Sequence, residues 1–248
     1  MKRIGWFTTA RGPGSMNLFR TVLNRIDRGD IKGEIAFMFI NREVKGNDNR
    51  RLMVQMAKDR GIPVIILPSD GFRQDLKEKD MALWRDAYGK EMRARIEEHP
   101  MDFGVLAGYM LILDPQTCRE NVLINLHPAL PDTYKGTWEE VVQKVVENRD
   151  DRYGATVHVC TPDLDRGDTI AYDSFDIKDM RARSANDDEL RKLVRAEGVR
   201  REAPLLMNVV ELLAKGVIAI KDGHTYDRSG RMLKEPPCLA EEVDRSLQ

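Results

Sequence analysis

The sequence predicts an α/β fold: a Rossmann-like, mostly parallel twisted sheet with helices on both faces, plus a C-terminal helix and β-hairpin. Short apolar runs alternate with long amphipathic segments, which is the pattern of βαβ units. The run Val122-Leu123-Ile124 stays apolar, as a buried strand does, and ends in Asn125-Leu126-His127-Pro128. Hydrophobic residues at 42% and charged residues at 33% give the chain enough apolar material for a core, which excludes a disordered protein.

Five strands are expected in order at residues 3–8, 35–40, 63–67, 103–107 and 122–126. Helical periodicity lies between them at residues 17–26 and 49–60 and in a long charged stretch within 72–98. A helix at 138–148 and strands at 155–160 and 169–175 follow. The last helical pattern, 187–215, contains Pro204, which predicts a break or kink because proline lacks the donor and clashes with the preceding turn. The tail reads as a hairpin: residues 217–220 and the segment around Met232 flank the turn pairs Asp222-Gly223 and Ser229-Gly230. The expected organisation is one domain over residues 1–216, with residues 217–248 as a hairpin and tail packed on it.

Forty basic residues against forty-one acidic ones leave a net charge of -1, so no global field favours nucleic acid or an acidic membrane. Any bound anion must be held locally. Three widely spaced cysteines, Cys118, Cys160 and Cys238, argue against a disulfide framework or a zinc ribbon and for a reducing cytoplasm. The basic start has too short an apolar run for a signal peptide, and no run is long enough to span a bilayer.

Ligands of open parallel sheets sit outside the carboxyl ends of the strands, where three loops look chemical. Arg11-Gly12-Pro13-Gly14-Ser15-Met16-Asn17 joins the first strand to the first helix. Its glycines and the helix amino end suit a phosphate, although a plain turn capped by Ser15 or Asn17 is the structural alternative. Asn125 and His127, two apart on a strand, point to one side, and Pro128 ends the strand beside them. An amide donor and an imidazole so placed can stabilise an oxyanion at an acyl carbon. The third loop, from His158 to Asp168, carries three carboxylates around a glycine without the spacing of a calcium loop. A solvated acidic turn, or a metal site of His127, His158 and one aspartate, stays open on spacing alone.

Taken in register, five segments resemble the folate-dependent formyltransferases, in particular the branch acting on glycinamide ribonucleotide. They are Gly14-Ser15-Met16-Asn17, Ala107-Gly108-Tyr109-Met110-Leu111-Ile112-Leu113, Asn125-Leu126-His127-Pro128-Ala129-Leu130, Gly154-Ala155-Thr156-Val157-His158 and Asp163-Leu164-Asp165. The resemblance implies a catalytic triad of Asn125, His127 and Asp165, no metal, and 10-formyltetrahydrofolate as formyl donor. Tyr109, Met110, Leu111, Ile112, Leu113, Cys160, Thr161, Asp163 and Leu164 would enclose the pterin. Gly12, Gly14, Ser15, Met16, Asn17 and Pro128 would hold the acceptor, a phosphorylated small-molecule amine, and His158 would support its loop.

The resemblance implies an enzyme of purine biosynthesis and one-carbon metabolism, cytoplasmic, without nucleic-acid or membrane partners; it allows a homodimer. Departures bear on the acceptor. Met16 is inserted in the cradle, Arg166 sits beside Asp165, and Leu111 replaces an arginine. Val199-Arg200-Arg201 stand where the family has an acidic residue; the two arginines would favour a more anionic acceptor if the late helix folds back. Alternatives are a formyltetrahydrofolate deformylase, whose family carries an amino-terminal regulatory domain where this chain begins with strand one, transfer to another amine such as an amino sugar nucleotide, or a non-enzymatic folate- or nucleotide-binding module.

Overall fold

The computed structural model describes residues 1–162 and 167–248. A seven-stranded sheet runs in the order β3-β2-β1-β4-β5-β6-β7, with a separate two-stranded sheet of β8 and β9. Its elements are β1 (Lys2–Thr8), α1 (Pro13–Asp27), β2 (Gly33–Ile40), α2 (Asp48–Lys58), β3 (Val64–Ile66), α3 (Gln74–Lys79), α4 (Met81–Ile96), β4 (Phe103–Leu106), α5 (Pro115–Glu120) and β5 (Leu123–His127). They continue as α6 (Trp138–Glu147), β6 (Arg152–Val159), β7 (Thr169–Asp176), α7 (Lys178–Arg183), α8 (Asp187–Ala214), β8 (Ile218–Lys221), β9 (His224–Asp227) and α9 (Ala240–Ser246). Pairings of β1 with β2 and β4, of β2 with β3 and of β4 with β5 are parallel, and β6 pairs antiparallel with β7. Among the described residues no helix is long and apolar enough to cross a membrane.

The chain divides into two compact units, and the first comprises Met1–Asn125, Val159–Gly167 and Ile220–Gly223. On one face of its sheet Phe7, Phe37, Phe39 and Leu106 meet Trp84, Tyr88, Met92 and Ile96, the buried stripe of α4 at fourfold spacing. Trp84 and Tyr88 stack with centroids 5.2 Å apart, and Phe7 meets Phe37 edge-on at 5.4 Å. The expected single charged helix is two helices here. Asp80 leaves helical geometry, and its carboxylate accepts from the N–H groups of Ala82 at 2.9 Å and Leu83 at 3.0 Å, capping α4. Gly89 leaves room for Asp114, because a Cβ there would lie 1.7 Å from the carboxylate. That carboxylate accepts from Arg93 at 2.6 Å and caps α5.

The second unit comprises Leu126–His158, Asp168–Ala219 and His224–Gln248. Val141, Val142, Val145 and Val146 of α6 pack with Tyr153, Ile177, Leu190 and Val194. Thr137 closes a capping box with Glu140 at the start of α6. Of the break or kink expected at Pro204, the break is absent: α8 runs continuously from Asp187 to Ala214 with Pro204 inside it. Pro204 removes one helical donor, but Leu205, Leu206, Met207, Val209 and Val210 beyond it are all buried, which offsets that loss. The tail forms the Asp222-Gly223 turn with both residues at positive φ, +53° and +79°, and Tyr226 bridges to Met232 across the second turn.

Candidate active site

The main chain of the loop after β1 is held by short polar side chains and by one arginine, while the first turn of the helix that follows has no side-chain cap. The sequence suggests that α1 starts near Asn17, with Ser15 or Asn17 as its cap, but the helix starts at Pro13, whose fixed φ suits the first helical position. Gly12 is the cap residue, extended at φ -149° and without a side-chain cap bond. Pro13 has no N–H, so Gly14, Ser15 and Met16 supply the orphan donors of the first turn, at the positive end of the helix dipole. Asn17 lies further along α1, where its carbonyl accepts from Thr21 at 2.8 Å.

Behind this turn, Ala10 sits at φ +49° and donates to Thr8 Oγ1 at 3.0 Å. Asn47, the cap of α2, donates to the Arg11 carbonyl at 3.2 Å, and Arg50 Nε donates to the Thr9 carbonyl at 3.2 Å. Burial, and then Arg42, pushes the Arg50 guanidinium below its usual range. On the other side Thr9 N–H donates to Gly108 O at 3.1 Å, and Thr9 Oγ1 accepts from Met110 N–H at 2.9 Å. Gly108 is required twice over: φ is +65°, and a Cβ would lie 2.6 Å from Ser15 Oγ.

The run from Tyr109 to Leu113 therefore leaves β4 tied to the first strand. Tyr109 turns inward to Phe7 and Phe39, both 6.3 Å away, and burial raises its phenol well above the ordinary range. Leu111, Leu113 and Cys160 pack against the same core, whereas Met110 and Ile112 point outward, 61% and 41% exposed. Cys160 N–H donates to Leu123 O at 2.7 Å, fixing the chain as it leaves β6 toward Thr161. These alternating side chains present an apolar surface beside main-chain amides, which suits a flat heteroaromatic ring.

β5 carries Asn125, half-buried and in register with Leu106 of β4, and ends on His127, which is 9% exposed. His127 Nε2 lies 2.9 Å from the carbonyl of Tyr134, so Nε2 bears the donated proton. In the neutral ring Nδ1 is then an acceptor; in the cation both nitrogens donate. His158 of β6 is buried and stands edge-on to His127, centroids 6.4 Å apart. Pro128 follows in a turn closed by Ala129 N–H to His127 O at 2.9 Å, and Thr156 Oγ1 donates to the Ala129 carbonyl at 2.7 Å. Asp163, Leu164 and Asp165, with the neighbouring Arg166, lie outside the described residues.

The late arginines are not the spare cations considered from the sequence. Arg201 is 5% exposed and holds Asp173 through two nitrogens at 2.7 and 2.8 Å, with a third contact to Asp244 at 2.6 Å. These contacts hold its guanidinium charged, well above its usual range, with Asp173 the largest cause. Arg200 forks onto Glu197 at 2.7 and 2.9 Å and so lowers that carboxyl. Thr9, Asn47 and Arg50 were not singled out in the sequence; the only cue was the polar pair Thr8-Thr9 closing an apolar strand.

The α/β fold around this seven-stranded sheet is shared with a known class. The chain belongs to the formyl transferase family, whose profile matches residues 12–199. It is 27% identical over 159 residues to the phosphoribosylglycinamide formyltransferase of Escherichia coli (strain K12), covering 63% of this chain and 66% of that protein. The chain thus spans about two thirds of that relative's length. The phosphoribosylglycinamide formyltransferase of Coxiella burnetii, solved with CHES, superposes with a TM-score of 0.71 at 20% identity, over 96% of this chain and 99% of that one. A formyltetrahydrofolate deformylase from Pseudomonas syringae pv. tomato shares the fold with a TM-score of 0.66 at 21% identity, over 91% of this chain and 65% of that one.

Proposed function

We propose that the chain transfers the formyl group of 10-formyltetrahydrofolate to the primary amine of glycinamide ribonucleotide, a step of purine biosynthesis in the cytoplasm. The observation that carries this reading is β5, which ends with Asn125 and His127 two residues apart at its carboxyl end. The amine attacks the formyl carbon, a tetrahedral centre forms, and negative charge grows on the formyl oxygen. The Asn125 amide and a protonated His127 donate to that oxygen, an effect whose loss typically costs about 10²–10³ in rate. The attacking nitrogen loses a proton, the bond from carbon to N10 of the folate breaks, and N10 gains a proton. Asp165 supports the charged His127 electrostatically and relays that proton, directly or through water, while the Tyr134 carbonyl fixes the ring.

In this reading residues 109–113 with Cys160, Thr161, Asp163 and Leu164 hold the pterin, and Gly12, Gly14, Ser15, Met16, Asn17 and Pro128 hold the phosphorylated acceptor. The first turn of α1 supports the latter assignment, since its N–H groups and dipole favour a dianion. The pairing of Arg200 and Arg201 with carboxylates removes the reason to expect a more anionic acceptor. The test offers 10-formyltetrahydrofolate with glycinamide ribonucleotide, amino sugar nucleotides, or water alone. Formylation of glycinamide ribonucleotide is expected, unchanged by a chelator. Release of tetrahydrofolate at the same rate without any amine would replace this reading by a deformylase, and no turnover with any acceptor by a binding module.

A further inference from the structure

We infer that Thr9 is a positioning residue shared by the acceptor cradle and the donor wall, so that a change on either side of it is felt at both. The inference rests on the proposed function, because it assigns ligands to the two sides. Thr9 is 3% exposed and is positioned to act through its neighbours. Its three polar groups are all engaged: the carbonyl by Arg50 Nε at 3.2 Å, the N–H by Gly108 O at 3.1 Å, and the hydroxyl by Met110 N–H at 2.9 Å. Arg50 and Asn47 stand at the start of α2 and brace the chain that enters the first turn of α1. Gly108 and Met110 begin the run assigned to the pterin. One short residue therefore fixes the main chain of both segments to each other.

The alternatives are weaker. A plain strand end would spread these bonds over several residues. Here, instead, the neighbouring Ala10 takes a left-handed conformation that lets the chain turn away immediately after Thr9. Ser15 Oγ, 2.6 Å from where a Gly108 side chain would begin, brings the two segments together a second time. A shift of the Tyr109–Leu113 run thus moves the first turn of α1, and a shift of the α1 turn moves the run.

The test reads each side from a substitution on the other. Binding of 5-formyltetrahydrofolate and of ribose 5-phosphate to the full chain is measured by calorimetry for wild type, Thr9→Ser, Thr9→Val and Arg50→Met. Thr9→Val loses only the bond to Met110 on the folate side, yet it should weaken ribose 5-phosphate about three- to tenfold. Arg50→Met loses the guanidinium bonds to the Thr9 and Glu43 carbonyls, none of them to the folate side, yet it should weaken the folate by a similar factor. Thr9→Ser keeps the hydroxyl and should restore both affinities. Effects confined to the near side, or none, in a folded variant would overturn the inference. If Thr9→Val does not fold, the effect of Arg50→Met on folate binding decides alone. Wild type that binds neither probe would overturn the proposed function and this inference with it; wild type that binds both, with uncrossed effects, overturns this inference only.

Discussion

The carboxyl edge of the first strands and the Arg201 cluster of the second unit both bury polar groups, but they satisfy them differently. Around Thr9 and Gly108 the partners are main-chain amides and carbonyls and the Thr9 hydroxyl, with a single guanidinium, that of Arg50, on the Thr9 carbonyl, and the first turn of α1 keeps its donors without a side-chain cap. Around Arg201 the partners are charges: Asp173 and Asp244 accept from it, and Glu197 lies 3.5 Å away. Main-chain donors can receive a ligand's charge without losing an existing partner, whereas a guanidinium already held by two carboxylates has little left to offer. An arginine near a proposed site is thus informative only once its partners are known.

Breaking the charged region gives the largest expected effect. Asp173→Asn leaves the buried Arg201 without its bidentate partner, and breaking such a pair typically costs about 3–5 kcal/mol. Asp244 and Glu197 remain nearby, so the lower end is expected, read as a fall in the urea midpoint at unchanged slope. A loss within experimental error would make this cluster as dispensable as a surface pair. His127→Ala should do the converse: turnover falls by at least about 10²-fold, with KM little changed and stability nearly retained, because the group acts on the transition state. Near-normal turnover would make His127 a structural histidine bonded to Tyr134.

A smaller change sharpens the main-chain side. Ser15→Asp puts a negative charge in the first turn of α1, where it stabilises the helix but repels an anionic acceptor. Acceptor KM should rise about tenfold while the melting temperature holds or rises slightly. An unchanged KM would show that the phosphate does not sit there.

The same contrast explains what could be read from the sequence. Strands announced by continuous apolar runs, such as β1, β2 and β5, are legible because burial on both faces leaves a composition signal. The separation of α3 from α4 turns on one carboxylate, that of Asp80, choosing the N–H groups of Ala82 and Leu83 over solvent, and periodicity carries no trace of that choice. Pro204 was legible as a residue but not as a tolerated one, since tolerance depends on the packing of Leu205 to Val210. α1 starts four residues before the expected position because Pro13 at the first helical position outweighs the good capping residues Ser15 and Asn17. In the candidate site the positions of Asn125, His127 and the Gly12–Asn17 segment follow from short motifs. The hold of Asn47 and Arg50 on Thr9 and Arg11 joins residues far apart in the chain, and no local pattern encodes it.

The smallest expected effect lies at Glu202, where a charge is buried with only one strong partner. Burial raises its carboxyl above the usual value, against the opposing pull of the Arg195 ion pair. The guanidinium of Arg195 also stacks over Trp138 at 4.8 Å, and the buried phenol of Tyr153, pushed up to about 12 by burial and then by Glu202, adds no cation. An acid whose folded pKa lies above its unfolded value binds more protons when folded, so stability declines as pH rises through the window above the unfolded value of about 4.3. Carboxyls lowered in the folded protein, such as Glu197 and Asp102, give the opposite slope, but they are common to wild type and Glu202→Gln and cancel in the difference. The melting temperature of wild type relative to Glu202→Gln should therefore fall as pH is raised from about 4 toward neutrality. A difference that stays level, or turns in favour of wild type, would mean that Arg195 outweighs burial and that Glu202 belongs with the balanced charges around Arg201.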